Sequence, residues 1–384
     1  MLMNFEPTPL KTLLRDLKKL AGLPLTRATA MPPGMYLSAE LLALEKQRIF
    51  HKQWLCAGTA GSIPSKGDYF SYQLGDQPVV VIRQDKGEIK AFANVCRHRM
   101  MTLLEGSGSC KKIVCPYHAW MYSIDGRLVA APHMDQRPGF DKKKISLAEI
   151  RCEVWQGWIY LTLDDDIEPI RDQLSELEPL VAPYGMEHYV QIDQQDHIWQ
   201  CNWKHLTENF MEGYHLPVTH RATVGGYFPV EQTQFSDAPP NPAFTYQFFA
   251  KTADAPVGTA HPDNTRLQGK QRTTSILPTI FPSHMYALAP DHFWYLSLQP
   301  GSVGEVRIRY GAAIAPEVLA ASNDPDKLMA DTRVFLDRVN AEDRGVVEGI
   351  YRGASGPMSE AGPLCWLERE NHEFTQYLAA HLCQ

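Results

Sequence analysis

The stretch CRHRMMTLLEGSGSCKKIVCPYHAW, from Cys96 to Trp120, decides the fold of the first half of this chain. It contains two short clusters, Cys96-x-His98 and Cys115-x-x-His118. Two thiolates and two imidazoles from two loops are the ligands of a Rieske [2Fe-2S] centre, in which a cysteine pair binds one iron and a histidine pair the other. Neutral imidazoles raise the reduction potential above that of an all-cysteine cluster. The pattern therefore predicts a one-electron relay.

A single zinc ion is the alternative for this ligand set, because two cysteines and two histidines also suit a tetrahedral structural site. Zinc fingers, however, usually pair Cys with Cys and His with His, whereas each half-site here carries one of each. The flanking sequence favours ligands on loops. Residues 79–83 and 89–93 read as a β-hairpin whose second strand leads to Cys96, and Pro116 marks a turn at the second cluster.

A second constellation lies in NWKHLTENFMEGYHLPVTH, residues 202–220. Glu212 and His215 are three residues apart, a spacing that would place them on one face of a helix. Pro217 is expected to end that helix, so that His220 folds back beside His215. Two histidines with a distant carboxylate form the triad of non-heme Fe(II) oxygenases, which leaves coordination positions open for O2 and substrate.

Together the two patterns resemble the Rieske non-heme iron oxygenases, whose large (alpha) terminal oxygenase subunit carries CRH and CPYHGW loops and an NWK … ENxxExYHxxxxH segment. The loops read CRHR and CPYHAW here, and the resemblance covers nearly the whole chain. Met100 is a departure, since the family commonly has Gly at that position. The resemblance implies that His215 and His220 bind a mononuclear Fe(II). It also implies that the ligands of the [2Fe-2S] cluster are Cys96, His98, Cys115 and His118.

The resemblance also implies roles for residues outside the ligand pairs. The family places its iron carboxylate in an ED pair on a late amphipathic helix, and residues 334–343 fit such a helix. Asp343 is therefore the expected third iron ligand, and Glu342 is expected to point to another face. An acidic residue three before the first iron histidine, here Glu212, bridges in the family between an iron histidine and a Rieske histidine of the neighbouring subunit. The alternative for Glu212 is a solvated carboxylate. Asn209 either orients groups near the iron or packs as a helix amide.

Composition sets the remaining bounds. A chain of 384 residues with 44% hydrophobic and 21% charged residues is an ordinary globular protein with room for two domains. A net charge of -7 argues against nucleic acid as a partner. Residues 10–20 are amphipathic and basic but lack the features of a secretory signal. They are expected to form a surface or subunit-packing helix, with a membrane-surface or transit helix as the alternative, and no membrane is expected among the partners. The six cysteines outside the motifs have no framework spacing, which is typical of the reducing cytoplasm.

The predicted fold class is α+β. Residues 1–46 are expected to be helical and to pack on the catalytic domain, residues 47–159 to form an all-β Rieske domain, and residues 160–384 to form the mononuclear iron catalytic domain. The last segment is similar to the helix-grip fold of the family, an antiparallel sheet around a long helix. Its strand-like runs lie at residues 275–287, 292–299 and 305–315.

The activity implied by the resemblance is that of a terminal oxygenase component. It would use O2, and electrons passed from NAD(P)H through a separate flavin- or ferredoxin-type reductase, to hydroxylate a small organic substrate. The family implies a homotrimer in which each Rieske centre serves the iron of the next subunit. Glu rather than Asp at position 212 favours a quaternary ammonium or N-methyl substrate of the carnitine, betaine or choline type, with N-demethylation as one outcome. The alternative is an aromatic ring-hydroxylating mono- or dioxygenase that acts on an aromatic acid.

Other readings of the sequence stay open. A pure electron carrier would need only the first motif, and a zinc-stabilised binding protein would need no iron. Ten histidines outside the motifs, among them His205 and His292, are expected to be exposed or hydrogen-bonded in the fold. Strand aromatics are candidates for a substrate wall, although they are more often core and alternate between the two faces of a strand. These aromatics are Phe244, Tyr246, Phe248, Phe249, Tyr286, Phe293, Trp294 and Tyr295.

Overall fold

In the computed structural model, residues 8–384 are described, and they fold into two compact units. The first, called the β unit below, is Phe50–Asp172. The second, called the α+β unit, combines the N-terminal segment up to Ile49 with Gln173–Gln384.

The described residues contain helices and strands with the following bounds. The helices are α1 (Leu10–Ala21), α2 (Gly34–Leu37), α3 (Ala39–Glu45), α4 (Ile170–Gln173), α5 (Glu178–Val181), α6 (Trp203–Phe210), α7 (Leu216–Thr219), α8 (Pro316–Ala321), α9 (Pro325–Ala354) and α10 (Arg369–Leu382). The strands are β1 (Leu55–Thr59), β2 (Asp68–Leu74), β3 (Gln77–Arg83), β4 (Ile89–Ala93), β5 (Ser107–Ser109), β6 (Lys112–Val114), β7 (Met121–Ser123), β8 (Leu128–Ala130), β9 (Glu149–Trp155), β10 (Trp158–Thr162), β11 (Val190–Trp199), β12 (Gln234–Phe235), β13 (Phe244–Ala250), β14 (Thr274–Ile280), β15 (His284–Leu288), β16 (His292–Pro300) and β17 (Val306–Ile314).

The β unit consists of a seven-stranded antiparallel sheet, in the order β1-β10-β9-β4-β3-β2-β5, and a three-stranded sheet, β6-β7-β8. The predicted hairpin before Cys96 is confirmed, since β3 pairs with β4 from Val79 opposite Ala93 to Arg83 opposite Ile89. The four residues 79–82 of β3 are completely buried. Both faces of β3 are therefore covered, which explains why this strand is a continuous apolar run rather than an alternating one.

The β unit extends beyond the predicted 47–159 boundary on its C-terminal side and begins three residues later. Backbone groups after β10 are held by side chains of the β unit: Arg151 donates to the carbonyl oxygens of Asp165 and Ile167, and the Trp54 indole donates to that of Glu168. This anchoring keeps the segment after β10 on the β unit as far as Asp172.

The α+β unit is built on a seven-stranded antiparallel sheet, in the order β11-β17-β16-β15-β14-β13-β12. The 30-residue helix α9 contacts β11 and α6. Its buried residues recur at spacings of three and four, so that they form one stripe along the helix. They are Leu336, Val339, Asn340, Asp343 and Val347. An antiparallel sheet with a long helix confirms the predicted α+β class.

Two further features of the α+β unit concern the predicted elements. Helix α1 packs against α10, with Leu13 and Leu17 buried. The prediction of one strand over residues 275–287 is wrong, because β14 ends at Ile280 and β15 begins at His284. Pro282 lies in the intervening turn and has no N–H to donate to a strand ladder. Across residues 8–384, every helix is too short or too polar to cross a lipid bilayer.

Candidate metal centres and active-site cavity

The two ligand loops of the β unit have the same backbone geometry. In the first, the Cys96 N–H donates to Met101 O and the Met100 N–H donates to Cys96 O. In the second, the Cys115 N–H donates to Trp120 O, and the N–H of the residue before that tryptophan donates to Cys115 O. Each cysteine thus begins a tight turn closed by its own backbone, and the two turns present their ligands in equivalent ways.

A left-handed residue closes each of these turns, four positions after the cysteine. Met100 has φ 57° and Ala119 has φ 54°. Glycine adopts this conformation without steric cost, whereas a side chain with a Cβ pays about 1 kcal/mol. The departure from Gly at Met100 is therefore a strained position, and Ala119 repeats it in the second loop.

The cysteines and the histidines of the two ligand loops differ in their exposure to solvent. Cys96 and Cys115 are 2% and 3% exposed, whereas His98 and His118 are exposed at the surface of the β unit. The two imidazole rings lie edge to face with centroids 4.8 Å apart, and Trp120 stacks on His98 at 4.9 Å. A cluster held by these four residues would present its histidine-ligated iron to the outside, which suits electron exchange with a partner.

A buried tyrosine contacts the first loop. The Tyr122 hydroxyl accepts the Arg97 N–H at 3.0 Å and lies 3.3 Å from Cys96 Sγ. Burial, followed by the contact with Cys96, raises the pKa of Tyr122. The hydroxyl therefore keeps its proton, and because it accepts from Arg97, it can donate that proton to the thiolate sulfur. Cys115 has no such partner among the hydrogen bonds of the described residues.

The spread of the four ligands distinguishes a two-iron cluster from zinc. Around one zinc ion, with bonds of about 2.0–2.3 Å, four tetrahedral ligand atoms would all lie within about 4 Å of one another. Within residues 8–384, only one group of three or more metal-ligating side chains has all its donor atoms within 4.8 Å, and it is not in these loops. The two thiols and two imidazoles of the loops do not form such a compact group. This arrangement fits a [2Fe-2S] cluster better than a single ion.

That one compact group lies in the α+β unit and consists of His215, His220 and Asp343. The Nε2 atoms of the two histidines are 3.2 Å apart, and Asp343 Oδ1 lies 3.1 Å from the Nε2 of His220 and 3.5 Å from that of His215. Ligands about 2.1 Å from a metal and at roughly right angles to each other would be about 3 Å apart. The three donor atoms therefore fit one face of a mononuclear iron site.

The local structure around His215 differs from the prediction. Helix α6 ends at Phe210, so Glu212 and His215 do not share a helix face, and Pro217 lies in the first turn of α7 instead of ending a helix. Proline is tolerated there because the first N–H groups of a helix have no intrahelical partner. Gly213 separates the two helices, and a Cβ at that position would lie 2.7 Å from the Phe249 ring.

Each iron-site histidine is held from behind by a carboxylate. Glu212 Oε1 lies 2.7 Å from His215 Nδ1, and Glu342 Oε2 lies 2.8 Å from His220 Nδ1. Thr223 donates to the same oxygen of Glu342 at 2.7 Å. A carboxylate acceptor fixes the proton on Nδ1 and leaves Nε2 to bind a metal. The expectation that Glu342 points away from the site is therefore wrong, because α9 turns both residues of the ED pair toward His220.

The electrostatics of the site favour a bound cation. Burial disfavours a charged imidazole at His215, but hydrogen bonds to Asp343 and Glu212 raise its pKa to about 10. Burial likewise opposes charge on Asp343, yet the hydrogen bonds from both histidines lower the pKa of its carboxyl. The carboxylates thus attract positive charge to the point where the three donor atoms meet. A divalent metal ion suits this donor set.

The three donors open into a cavity of about 110 Å³. Helix α9 contributes Val339 and Asp343 to its lining, and strands β14 to β16 form the opposite wall. Asn209 also lines the cavity, is 7% exposed, and makes no side-chain hydrogen bond to any described residue. Five aromatic side chains surround this space: Phe210, Phe228, Phe249, Trp294 and Phe335.

Two of the eight strand aromatics singled out from the sequence, Phe249 and Trp294, line this cavity. Phe293 and Tyr295 alternate with Trp294 along β16 and are buried on the other face. His205 stacks on Tyr36 at 3.9 Å and lines a second cavity, of about 510 Å³, that reaches His215 and Glu212 from the other side.

The fold and both ligand sets point to a protein class, and comparison with known proteins agrees. Residues 184–384 match the ring hydroxylating alpha subunit (catalytic domain) family, and residues 53–151 match the Rieske [2Fe-2S] domain. The first match covers more than half of the chain, so this chain belongs to the family of ring hydroxylating alpha subunits. The two matches imply a Rieske [2Fe-2S] cluster and a mononuclear iron.

The curated relatives refine this picture. The chain is 38% identical over 192 residues to the glycine betaine monooxygenase oxygenase subunit of Pseudomonas aeruginosa, an alignment that covers 50% of this chain and 44% of the relative. It is 25% identical over 388 residues to the chloroplastic choline monooxygenase of Beta vulgaris, which covers 97% of this chain and 81% of that protein. The alignment with the glycine betaine enzyme thus spans less than half of that relative's length.

Solved structures share the fold over almost the whole chain. A quaternary ammonium Rieske monooxygenase described in connection with carnitine oxidation matches with a TM-score of 0.81 at 21% identity, covering 99% of this chain and 100% of that one. Naphthalene 1,2-dioxygenase from Rhodococcus sp. matches with a TM-score of 0.79 at 20% identity, covering 97% and 98% of the two chains. These likenesses place the chain in the same fold.

Proposed function

We propose that this chain is the terminal oxygenase component of a monooxygenase that hydroxylates or N-demethylates a small quaternary ammonium or N-methyl compound. One observation carries the proposal: a facial set of two histidines and one aspartate forms the floor of a small cavity with aromatic walls. Curated relatives named for glycine betaine, choline and carnitine support the substrate class.

The cavity suits an N-methyl cation in size and in chemistry. Its volume of about 110 Å³ corresponds to roughly seven to eleven water-sized groups, which is the size of a small trimethylammonium compound. Aromatic faces attract a cation through the ring quadrupole, by about 2 kcal/mol or more where water is excluded. No arginine is among the described residues that line the cavity, so a carboxylate there would lack the bidentate partner that an arginine offers.

The residues of the site would work together as follows. His215, His220 and Asp343 would hold the iron, and Glu212 and Glu342 would keep both imidazoles in the tautomer that binds it. When bound, the iron supplies O2 activation and the cluster supplies one-electron transfer. The apolar walls exclude water and hold a methyl group over the floor of the cavity. A hydroxylated N-methyl group collapses to formaldehyde and the demethylated amine.

Electron delivery is part of the proposal. A separate NAD(P)H-dependent reductase would reduce a cluster held by Cys96, His98, Cys115 and His118. Glu212 lines two neighbouring cavities of the α+β unit, and the larger one offers a histidine of another subunit a route to this carboxylate. In the homotrimer that we propose, Glu212 would connect His118 of one subunit to His215 of the next. All eight cysteines lie among the described residues and none of them forms a disulfide bond, which supports a cytoplasmic location.

Substrate-dependent O2 consumption with a compatible reductase tests the proposed function. We expect glycine betaine, choline, carnitine and related N-methyl compounds to include one that is consumed with release of formaldehyde in step with O2. If an aromatic acid is hydroxylated and every N-methyl compound is inert, the ring-hydroxylating alternative is correct. His215→Ala should abolish turnover and leave the cluster spectrum intact. An active His215→Ala variant would reject the iron site.

A further inference from the structure

His292 is an ionisable side chain in the wall of the cavity. The other titratable residues that line this space, Glu212, His215, His220 and Asp343, belong to the iron site or contact it directly. His292 is the first residue of β16, and Trp294 lines the cavity two residues further on. Side chains two apart on a strand point to the same face. His292 therefore offers a polar group beside an aromatic wall.

Hydrogen bonds behind His292 fix which of its nitrogens faces the cavity. His292 Nδ1 lies 2.7 Å from Asp291 Oδ1, and Asp291 Oδ2 accepts the N–H of Gly258 at 2.7 Å. The carboxylate therefore holds the proton of the imidazole on Nδ1. The His292 side chain is 15% exposed, and Nε2 makes no hydrogen bond to any described residue. This nitrogen is left for a ligand.

The turn that carries Asp291 is itself firmly held. The Tyr189 hydroxyl lies 3.2 Å from Ala289 O and 3.1 Å from Pro290 O. The Ala289 N–H donates to His292 O, and the N–H of Ala315 donates to Asp291 O. Since a recognition group must be held to within a fraction of an ångström, this bracing is what a binding residue requires.

We propose that His292 Nε2 binds an anionic oxygen of the substrate, so that the cavity selects a zwitterion with a methylated ammonium group at one end and a carboxylate at the other. The inference rests on the proposed function for the ammonium end, and on His292 alone for the carboxylate end. Asp291 supports it electrostatically: burial opposes charge on His292, but the neighbouring carboxylate raises its pKa. A protonated imidazole donates from both nitrogens, one to Asp291 and the other to the ligand.

Binding of matched ligand pairs tests the role of His292. Anaerobic holoenzyme is titrated calorimetrically with glycine betaine and with ethyltrimethylammonium, which differ in the carboxylate. We expect the wild type to bind glycine betaine about tenfold to hundredfold more tightly, the range of one charged hydrogen bond. His292→Phe should lose this preference and bind ethyltrimethylammonium within about threefold of the wild type. His292→Gln, which keeps an N–H donor, should retain part of it.

A matched control and a second ligand pair complete the test. His261 lies beside Asp263 with Nδ1 and Oδ2 3.6 Å apart, outside the lining of the cavity. His261→Phe should leave the preference for glycine betaine unchanged.

Benzoate and toluene form the second ligand pair. If only this pair binds and the wild type prefers benzoate, the role of His292 stands and the ammonium substrate is rejected. If the wild type binds glycine betaine and ethyltrimethylammonium equally well, the role of His292 is rejected. The role is also rejected if His292→Phe weakens the binding of these two compounds equally. Absence of carboxylate binding in both pairs also rejects it.

Discussion

The two ligand sets of this chain are built in opposite ways. In the β unit, all four ligands lie between Cys96 and His118, on two turns closed by the same pair of backbone hydrogen bonds. In the α+β unit, His220 and Asp343 are 123 residues apart and meet because α9 packs near α6 and α7. The first set is a local structure, whereas the second exists only in the folded unit.

The environments of the histidines differ in the same sense. His98 and His118 are exposed and touch aromatic rings, whereas His220 is 2% exposed and bonded to two carboxylates. An exposed imidazole suits electron exchange with a partner. A buried imidazole with fixed tautomer suits a site that must keep open positions for O2 and substrate. The contrast supports the proposed function, in which the β unit would store electrons and the α+β unit would perform the chemistry.

The largest effect should come from removing one ligand of each set in turn. His220→Ala should abolish turnover, by more than about a thousandfold, and leave the electron paramagnetic resonance signal of the reduced cluster unchanged. Cys115→Ser should remove the signal. His261→Ala, away from both sets, serves as the control and should retain both properties. A loss of the cluster signal in His220→Ala would contradict the independence of the two sets.

A smaller effect is expected from changing the carboxylate that orients the iron ligand His220. Glu342→Gln should weaken iron binding about tenfold to hundredfold, since the carboxylate that orients His220 Nδ1 is replaced by a neutral amide. Competition with a chelator, followed by iron analysis, measures this change. Asp331→Asn on the exposed side of α9 is the matched control. Equal iron retention in both variants would mean that Glu342 does not support the site.

A pH-dependent effect is expected at Glu208 of α6, a site without counterpart in the ligand loops. Burial raises the pKa of Glu208 to about 8, and Glu368 adds to the shift, while Tyr36 and Lys204 oppose it. The folded chain therefore keeps a proton that the unfolded chain releases near its ordinary value of 4.5, so the free energy of unfolding falls as the pH rises from about 4.5 to 8.

Glu208→Gln should remove this pH dependence. Between about pH 5 and pH 8.5, the melting temperature of the wild type should fall a few degrees more than that of Glu208→Gln. The amide carbonyl introduced by the substitution can still accept from Tyr36. Glu231→Gln, an exposed position, should follow the wild type. If the melting temperatures of the wild type and Glu208→Gln change with pH by the same amount, the carboxyl of Glu208 is ionised in the folded chain.

The smallest effect concerns the turns of the ligand loops. Met100→Gly and Ala119→Gly should each stabilise the loop by up to about 1 kcal/mol, because glycine accepts a positive φ without steric cost. Cluster loss on heating, followed by visible absorption, measures the change. Ala93→Gly in strand β4 is the control and should destabilise the β unit. A lower temperature of cluster loss in Ala119→Gly would contradict the strain at this turn.

The local set could be predicted from the sequence more fully than the distant one. Short spacing defined the loops from Cys96 to His118, and the apolar run of β3 defined the hairpin. The prediction of a helix around Glu212 was wrong, because α6 ends at Phe210 and Pro217 lies in the first turn of α7. Spacing carries no information on how α9 is rotated, so the contact of Glu342 with His220 was missed. The role proposed for His292 depends on Asp291 and Gly258 meeting behind it, which no motif encodes.

Iron and acid-labile sulfide content of Asp343→Ala tests the central claim most directly. A chain that holds a [2Fe-2S] cluster and a separate mononuclear iron should contain about three irons and about two sulfides per chain. Asp343→Ala should then lose about one iron and keep both sulfides. If the variant keeps all of its iron, or loses sulfide together with iron, the claim of two separate metal centres is contradicted.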